Sequence, residues 1–126
     1  MLLLPTDNLL LYSVTGGGKT TQEAEVIKAL FAETNKPALV NTTDWGGIGP
    51  ILALVEKGMA EIERYQYPAD PFVWIDGVCQ GKRPVNGKWA AYDRSKYSVI
   101  CMESLTGMGD LTLNALGHQV AEGKQV

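Results

Sequence analysis

The segment Ser13-Val14-Thr15-Gly16-Gly17-Gly18-Lys19-Thr20-Thr21 restricts what this chain can fold into more than any other. A short apolar run from Asn8 to Ser13 precedes it, bounded by Pro5-Thr6-Asp7, and reads as a buried strand. Behind it, Ala24, Val26, Ile27, Leu30 and Phe31 recur at helical spacing between Lys19 and Thr34, with Gln22, Glu25 and Lys28 on the outer side. Consecutive glycines at a strand-to-helix junction let the backbone turn without a side chain intruding. They also let N–H groups converge at the helix N-terminus, where the dipole favours an anion. The general phosphate-cradling pattern is Gly, four residues, then Gly-Lys-Ser/Thr. Gly18-Lys19-Thr20 meets its second half, while Ser13 stands where the first glycine belongs. Serine changes the entrance of the loop but removes no N–H donor. Ser13, Thr15, Gly16, Gly17, Gly18, Lys19, Thr20 and Thr21 are therefore the expected nucleotide contacts. In that arrangement Lys19 reaches the β- and γ-phosphates and the Thr20 hydroxyl ligates magnesium. The bland alternative is a glycine-rich turn with a solvated Lys19; the strand–loop–helix context argues against it.

The rest of the chain continues the alternation. Asn35-Lys36-Pro37 stops the first helix, because proline disfavours a helical residue before it. Ala38 to Val40 reads as a second strand, ending in polar Asn41-Thr42-Thr43-Asp44. After the loop Trp45 to Pro50, the positions Ile51, Leu52, Val55, Met59 and Ile62 predict a helix reaching Arg64. Phe72-Val73-Trp74-Ile75 is a strand candidate, and Gln80 to Lys96 a loop or hairpin with Asn86-Gly87 as its turn. Ser98 to Met102 is a further apolar strand, and Leu113, Leu116 and Val120 predict a last helix, weakened by Gly117 and Gly123. Strands alternating with helices place the chain in the α/β class with a mainly parallel sheet.

Composition removes several function classes. The 126 residues suit one domain, and 45% hydrophobic with 20% charged residues is ordinary for a globular chain. A net charge of −3 is no basis for holding nucleic acid by bulk charge. No apolar run approaches the ~20 residues of a membrane span, and Met1-Leu2-Leu3-Leu4 lacks the basic flank of a signal peptide. The two cysteines, Cys79 and Cys101, form no paired motif and read as packing residues. The one histidine, His118, has no partner motif, so neither a zinc framework nor a disulfide scaffold is expected, which fits a reducing cytoplasm.

A phosphate loop requires an acid at the end of a second buried strand to hold the magnesium. Phe72-Val73-Trp74-Ile75-Asp76 supplies an aspartate, the more usual residue type. Val99-Ile100-Cys101-Met102-Glu103 supplies a glutamate, followed by Ser104-Leu105-Thr106-Gly107 and a helix, the more usual context. Glu103 is the expected metal-side acid, with Asp76 as the alternative.

With these residues in place, Ser13 to Thr21, Leu39 to Asp44 and Val99 to Asp110 resemble RecA-like ATPases encoded by bacteriophages, the single-strand-annealing and recombination group of AAA-domain phage proteins. The resemblance implies a P-loop NTPase fold of three αβα layers, with ATP and Mg2+ as ligands and a hairpin-like insertion near 72–97. It implies that Asp44 is the carboxylate that orients and activates the attacking water, where the family usually has glutamate. It also implies action in phage DNA recombination or replication, in the cytoplasm of an infected bacterial host, with homo-oligomerisation possible in such a family. Against a RecA-like core, 126 residues is short, so residues 1–126 are expected to be an incomplete, N-terminal nucleotide-binding domain.

Lys82, Arg83, Lys88, Arg94 and Lys96 are five of the eleven basic residues, set against one acid in that stretch, Asp93. Trp89, Tyr92 and Tyr97 interleave with them, the pattern of surfaces that hold single-stranded DNA by phosphate contact and base stacking. An exposed hairpin with solvated charges is the plain alternative. Two other function classes fit the phosphate loop. A small-molecule or nucleotide kinase needs an arginine-bearing lid, for which only Arg64, Arg83 and Arg94 exist. A non-hydrolysing nucleotide-binding module for DNA needs no catalytic carboxylate.

Overall fold

The computed structural model describes residues 18–43, 48–65, 71–86 and 88–103, with 109–110, 113–114 and 116–117 beyond them. The expected first strand, at residues 8–13, lies outside the described residues. Helix α1 runs Lys19–Thr34, as its periodicity predicts, and buries Ala24 and Ile27. It stops where Asn35 takes a left-handed conformation (φ 55°) and its N–H donates to the Phe31 carbonyl at 2.8 Å.

Strand β1, Ala38–Thr42, follows and is buried along its whole length. Asn41 and Thr42 are part of it, so the strand extends past the apolar residues that announced it. Helix α2 spans Gly49–Glu56, with Pro50 in the first turn, where a missing N–H costs nothing. The predicted continuation of this helix to Arg64 does not occur. The chain turns at Lys57-Gly58, with Gly58 at φ 74°, and Ala60–Arg64 forms strand β2. Met59 and Ile62 continue a helical stripe, while Ala60 and Ile62 fit a two-residue alternation, and the left-handed glycine decides between them.

Helix α3, Pro71–Cys79, replaces the strand expected at 72–75. Four consecutive apolar residues cannot distinguish the two states. Here Trp74 and Val78 are buried four residues apart, while Phe72 and Val73 are 54% and 57% exposed, a helical pattern. Strands β3 (Lys82–Val85) and β4 (Lys88–Ala91) form the expected antiparallel hairpin, with Asn86 at φ 52° in its turn. A short 3-10 turn, Arg94–Lys96, leads to strand β5, Val99–Glu103. Residues 109–110, 113–114 and 116–117 are helical, in keeping with the last predicted helix.

Strands β2, β1 and β5 make one parallel sheet in that order. Side chains alternate across it. Ala38 and Val40 pack with Ala24, Ile27, Ile51 and Leu54 of α1 and α2, and Ile62, Val99 and Cys101 join the same cluster. Leu39 on the other face packs with Trp74 and Val78 of α3, joined by Ile100, Tyr92 and Tyr97. The chain is thus an α/β structure with helices on both faces of a parallel sheet. Among the described residues, no helix is long and apolar enough to cross a membrane.

Candidate functional site

The site is built where the start of α1 meets the carboxyl end of β5. Gly18, immediately before α1, sits at φ 82°, a left-handed angle that favours glycine, and an added Cβ there would meet only open space. Among the described residues no side-chain hydrogen bond caps the helix, and no acid occupies its first turn. An anion placed there would satisfy N–H groups that the helix itself cannot. Lys19 and Thr20 are the first two helical residues, both half-buried, and Thr21 is exposed.

β5 contributes the acid through its alternation. Val99 and Cys101 pack against the core formed by α1 and α2, so Glu103, two residues further, lies on the same face. There the Thr20 hydroxyl donates to Glu103 Oε1 at 3.4 Å. The backbone at this end is also tied together: the Thr43 N–H donates to the Glu103 carbonyl at 2.7 Å.

Glu23, one helical turn after Thr20, completes the cluster and escaped the sequence reading. It lies close enough to the Glu103 carboxyl and the Cys101 thiol for both to act on its charge. Burial first, then the hydrogen bond and repulsion from Glu103, push its carboxyl up to about 8. A protonated Glu23 can therefore donate to Glu103 at neutral pH. Burial, and next the charge of Glu23, push the Cys101 thiol well above its ordinary value, so it stays neutral and is no nucleophile. The available signal for Glu23 was its spacing: three residues after Thr20 and four before Ile27 place it on the inward side of α1.

Asp76 is not brought to this site. It lies on α3, which packs on the opposite face of the sheet, is exposed, and accepts from Gln80 Nε2 at 2.8 Å. Its candidacy depended on ending a strand, and the helix removes that position. Ser13, Thr15, Gly16, Gly17 and Asp44 lie outside the described residues. Those described are Gly18, Lys19, Thr20, Thr21, Asp76 and Glu103, of which the structure joins Thr20 and Glu103 directly.

The basic segment forms a second region. Arg83 pairs with Glu63 of β2 and donates to the Tyr97 hydroxyl at 3.4 Å. Its guanidinium lies 5.9 Å from the centre of the Tyr92 ring. Tyr92 and Tyr97 meet edge to face at 6.0 Å, and the Tyr92 hydroxyl donates to the Val78 carbonyl. Arg94 donates to the Cys79 carbonyl at 2.5 Å. Two of the three interleaved aromatics are therefore held by contacts within the fold. Trp89 is 45% exposed, with its ring so close over Gly77 of α3 that a Cβ there would fall 2.5 Å away. Lys82, Lys88 and Lys96 are exposed. An open cleft of about 560 Å³ lies between the hairpin and β2, lined among others by Glu63, Arg83, Tyr92, Lys96 and Tyr97.

No family model matches this chain, and no curated protein and no solved structure matches it.

Proposed function

We propose that this chain is the nucleotide-binding domain of a magnesium-dependent, RecA-like P-loop ATPase that acts on DNA in phage recombination or replication. The observation that carries the reading is the contact between the Thr20 hydroxyl and the Glu103 carboxylate, at the start of a helix entered through a left-handed glycine. Magnesium is usually held by one or two carboxylates together with substrate phosphates and water. A hydroxyl and a carboxylate, both hard oxygen donors, at a helix N-terminus fit that chemistry.

In this reading the first-turn N–H groups of α1 and the Lys19 ammonium hold the phosphates. Thr20 and Glu103 would hold the metal, with Glu23 beside Glu103 on the inner side. Bound Mg2+ would supply charge neutralisation across the β- and γ-phosphate oxygens. Asp44, by the resemblance, would orient the attacking water. The cytoplasm of the infected host is the compartment this activity implies. Exposed Lys82, Lys88 and Lys96, with Trp89, are the groups left to contact single-stranded DNA.

Binding of a fluorescent ATP analogue with Mg2+ tests the reading, with Lys19→Ala as the control. Saturable binding by the wild-type chain, lost in Lys19→Ala, supports it. Absence of binding by the wild type overturns it. Turnover of ATP, measured with and without single-stranded DNA, then separates the ATPase from a binding module that does not hydrolyse.

A further inference from the structure

Two buried polar side chains meet on the face of the sheet that α3 covers. Asn41 and Trp74 are each only 1% exposed. The Asn41 amide nitrogen, Nδ2, donates to the Cys101 carbonyl of β5 at 3.3 Å. A carbonyl can only accept, so this bond decides which end of the amide is nitrogen and leaves Oδ1 as an acceptor. Among the described residues, Asn41 Oδ1 has no hydrogen-bond partner, and neither has the Trp74 indole nitrogen, Nε1.

The register brings the two together. Leu39 and Asn41 share the α3 side of β1, and Asn41 is opposite Glu63 of β2. Tyr65, next on that side of β2, extends the ladder through its N–H to the Thr42 carbonyl. The Trp74 indole packs with Leu39 and meets the Tyr65 ring at 5.5 Å between centroids. Leu39 stands two residues before Asn41, and Tyr65 two residues after Glu63. An indole that touches both therefore crosses the row of Asn41 and Glu63.

A buried donor and a buried acceptor in one row, not bonded to each other, each destabilise the fold unless something bridges them. Water is the smallest group that accepts from an N–H and donates to an amide oxygen at once. Its second proton has the half-buried Glu63 carboxylate, the partner of Arg83, in the same row. Three such bonds are what a buried water typically makes.

We propose that one internal water is bound between Trp74 Nε1 and Asn41 Oδ1 as a constituent of the fold. It accepts from the indole and donates to the amide, tying α3 to β1. Because Asn41 also holds the Cys101 carbonyl, the link continues to β5. The site is on the opposite side of the sheet from Thr20 and Glu103, so it does not rest on the nucleotide reading.

Water-selective NOE and ROE spectra of the isotope-labelled full chain test it, with both side-chain signals assigned from their own backbones. The Trp74 indole proton and the Asn41 amide protons are each expected to show a cross-peak to water, with the sign of a bound molecule rather than bulk solvent. Asn41→Leu removes the acceptor and should abolish the cross-peak at Trp74. Absence of the cross-peak at either residue of the wild type overturns the inference, as does its persistence at Trp74 in a folded Asn41→Leu. Should that variant fail to fold, the two wild-type cross-peaks decide alone.

Discussion

The Thr20 hydroxyl donates to Glu103 Oε1 across 3.4 Å, joining the first turn of α1 to the last residue of β5 over 83 positions of chain. Two independent periodicities produce the meeting. The two-residue alternation of β5 turns Cys101 and Glu103 to one face, and the helical period of α1 puts Thr20 and Glu23 on the side that covers it.

If this pair forms the metal side of the site, Thr20→Val and Glu103→Gln should each weaken the Mg2+-dependent part of nucleotide binding by roughly tenfold or more. Asp76→Asn, on the far face, should change it less than about twofold. Titrations with Mg2+ and with EDTA measure the difference. An effect of Asp76→Asn equal to that of Glu103→Gln would refute the assignment.

Glu23 makes metal-free stability depend on pH with a definite sign. Its carboxyl is raised from 4.5 to about 8 in the folded chain, so between those values the native state holds a proton that the unfolded chain has released. Stability therefore falls as pH rises through that window and is flat above it. Because Glu23 keeps some contact with water, the loss should be about 1–2 kcal/mol. Urea unfolding in EDTA should show Glu23→Gln more stable than wild type at pH 8, with the gap closing near pH 4. A constant gap across the range would exclude the effect.

Arg83 and Glu63 clamp the β3–β4 hairpin to β2, with side chains 26% and 12% exposed. Removing the cation leaves a largely buried carboxylate without its partner. Arg83→Met should cost about 2 kcal/mol, and Glu63→Gln in the same chain should restore part of it. Chemical denaturation of the single and double variants gives the coupling directly. Additive losses would show that the two residues act apart.

DNA contact, where it occurs, should depend on the exposed lysines rather than on the tyrosines. Replacing Lys82, Lys88 and Lys96 with Gln should lower the salt slope of single-stranded DNA binding by about 2, at ~0.7 per phosphate lost. Tyr92→Phe removes a hydroxyl bonded to the Val78 carbonyl and should cost about 1 kcal/mol of stability while leaving the affinity unchanged. Salt titrations by fluorescence anisotropy separate the two. Weaker DNA binding by a folded Tyr92→Phe would place that ring on the DNA surface instead.

The parts of the site readable in advance are those carried by one local pattern. Gly18-Lys19-Thr20 announces a glycine-entered helix start, and φ 82° at Gly18 with a helix opening at Lys19 agrees with it. Val99 to Glu103 announces a buried strand ending in an acid, and β5 ends there. Asn86-Gly87 announces the hairpin that Lys82–Val85 and Lys88–Ala91 form. Glu23 escaped because its role depends on which residue of another element lies across from it.

Local residue pattern is enough to read the α/β class, the position of the glycine-to-helix junction and Glu103 as an acid closing an apolar run. That residues 60–64 are a strand, that 71–79 are a helix, and that Glu103 rather than Asp76 meets Thr20 follows from packing between elements. Short apolar runs satisfy both periods, and packing settles the choice: Trp74 and Val78 find Leu39 only from a helix, and Ile62 lines up with Val40 only as a strand. Register acts over the same distance. A shift of one residue in the pairing of β5 with β1 would turn Glu103 to the other face, so the site exists because nonlocal pairing holds Thr42 opposite Glu103.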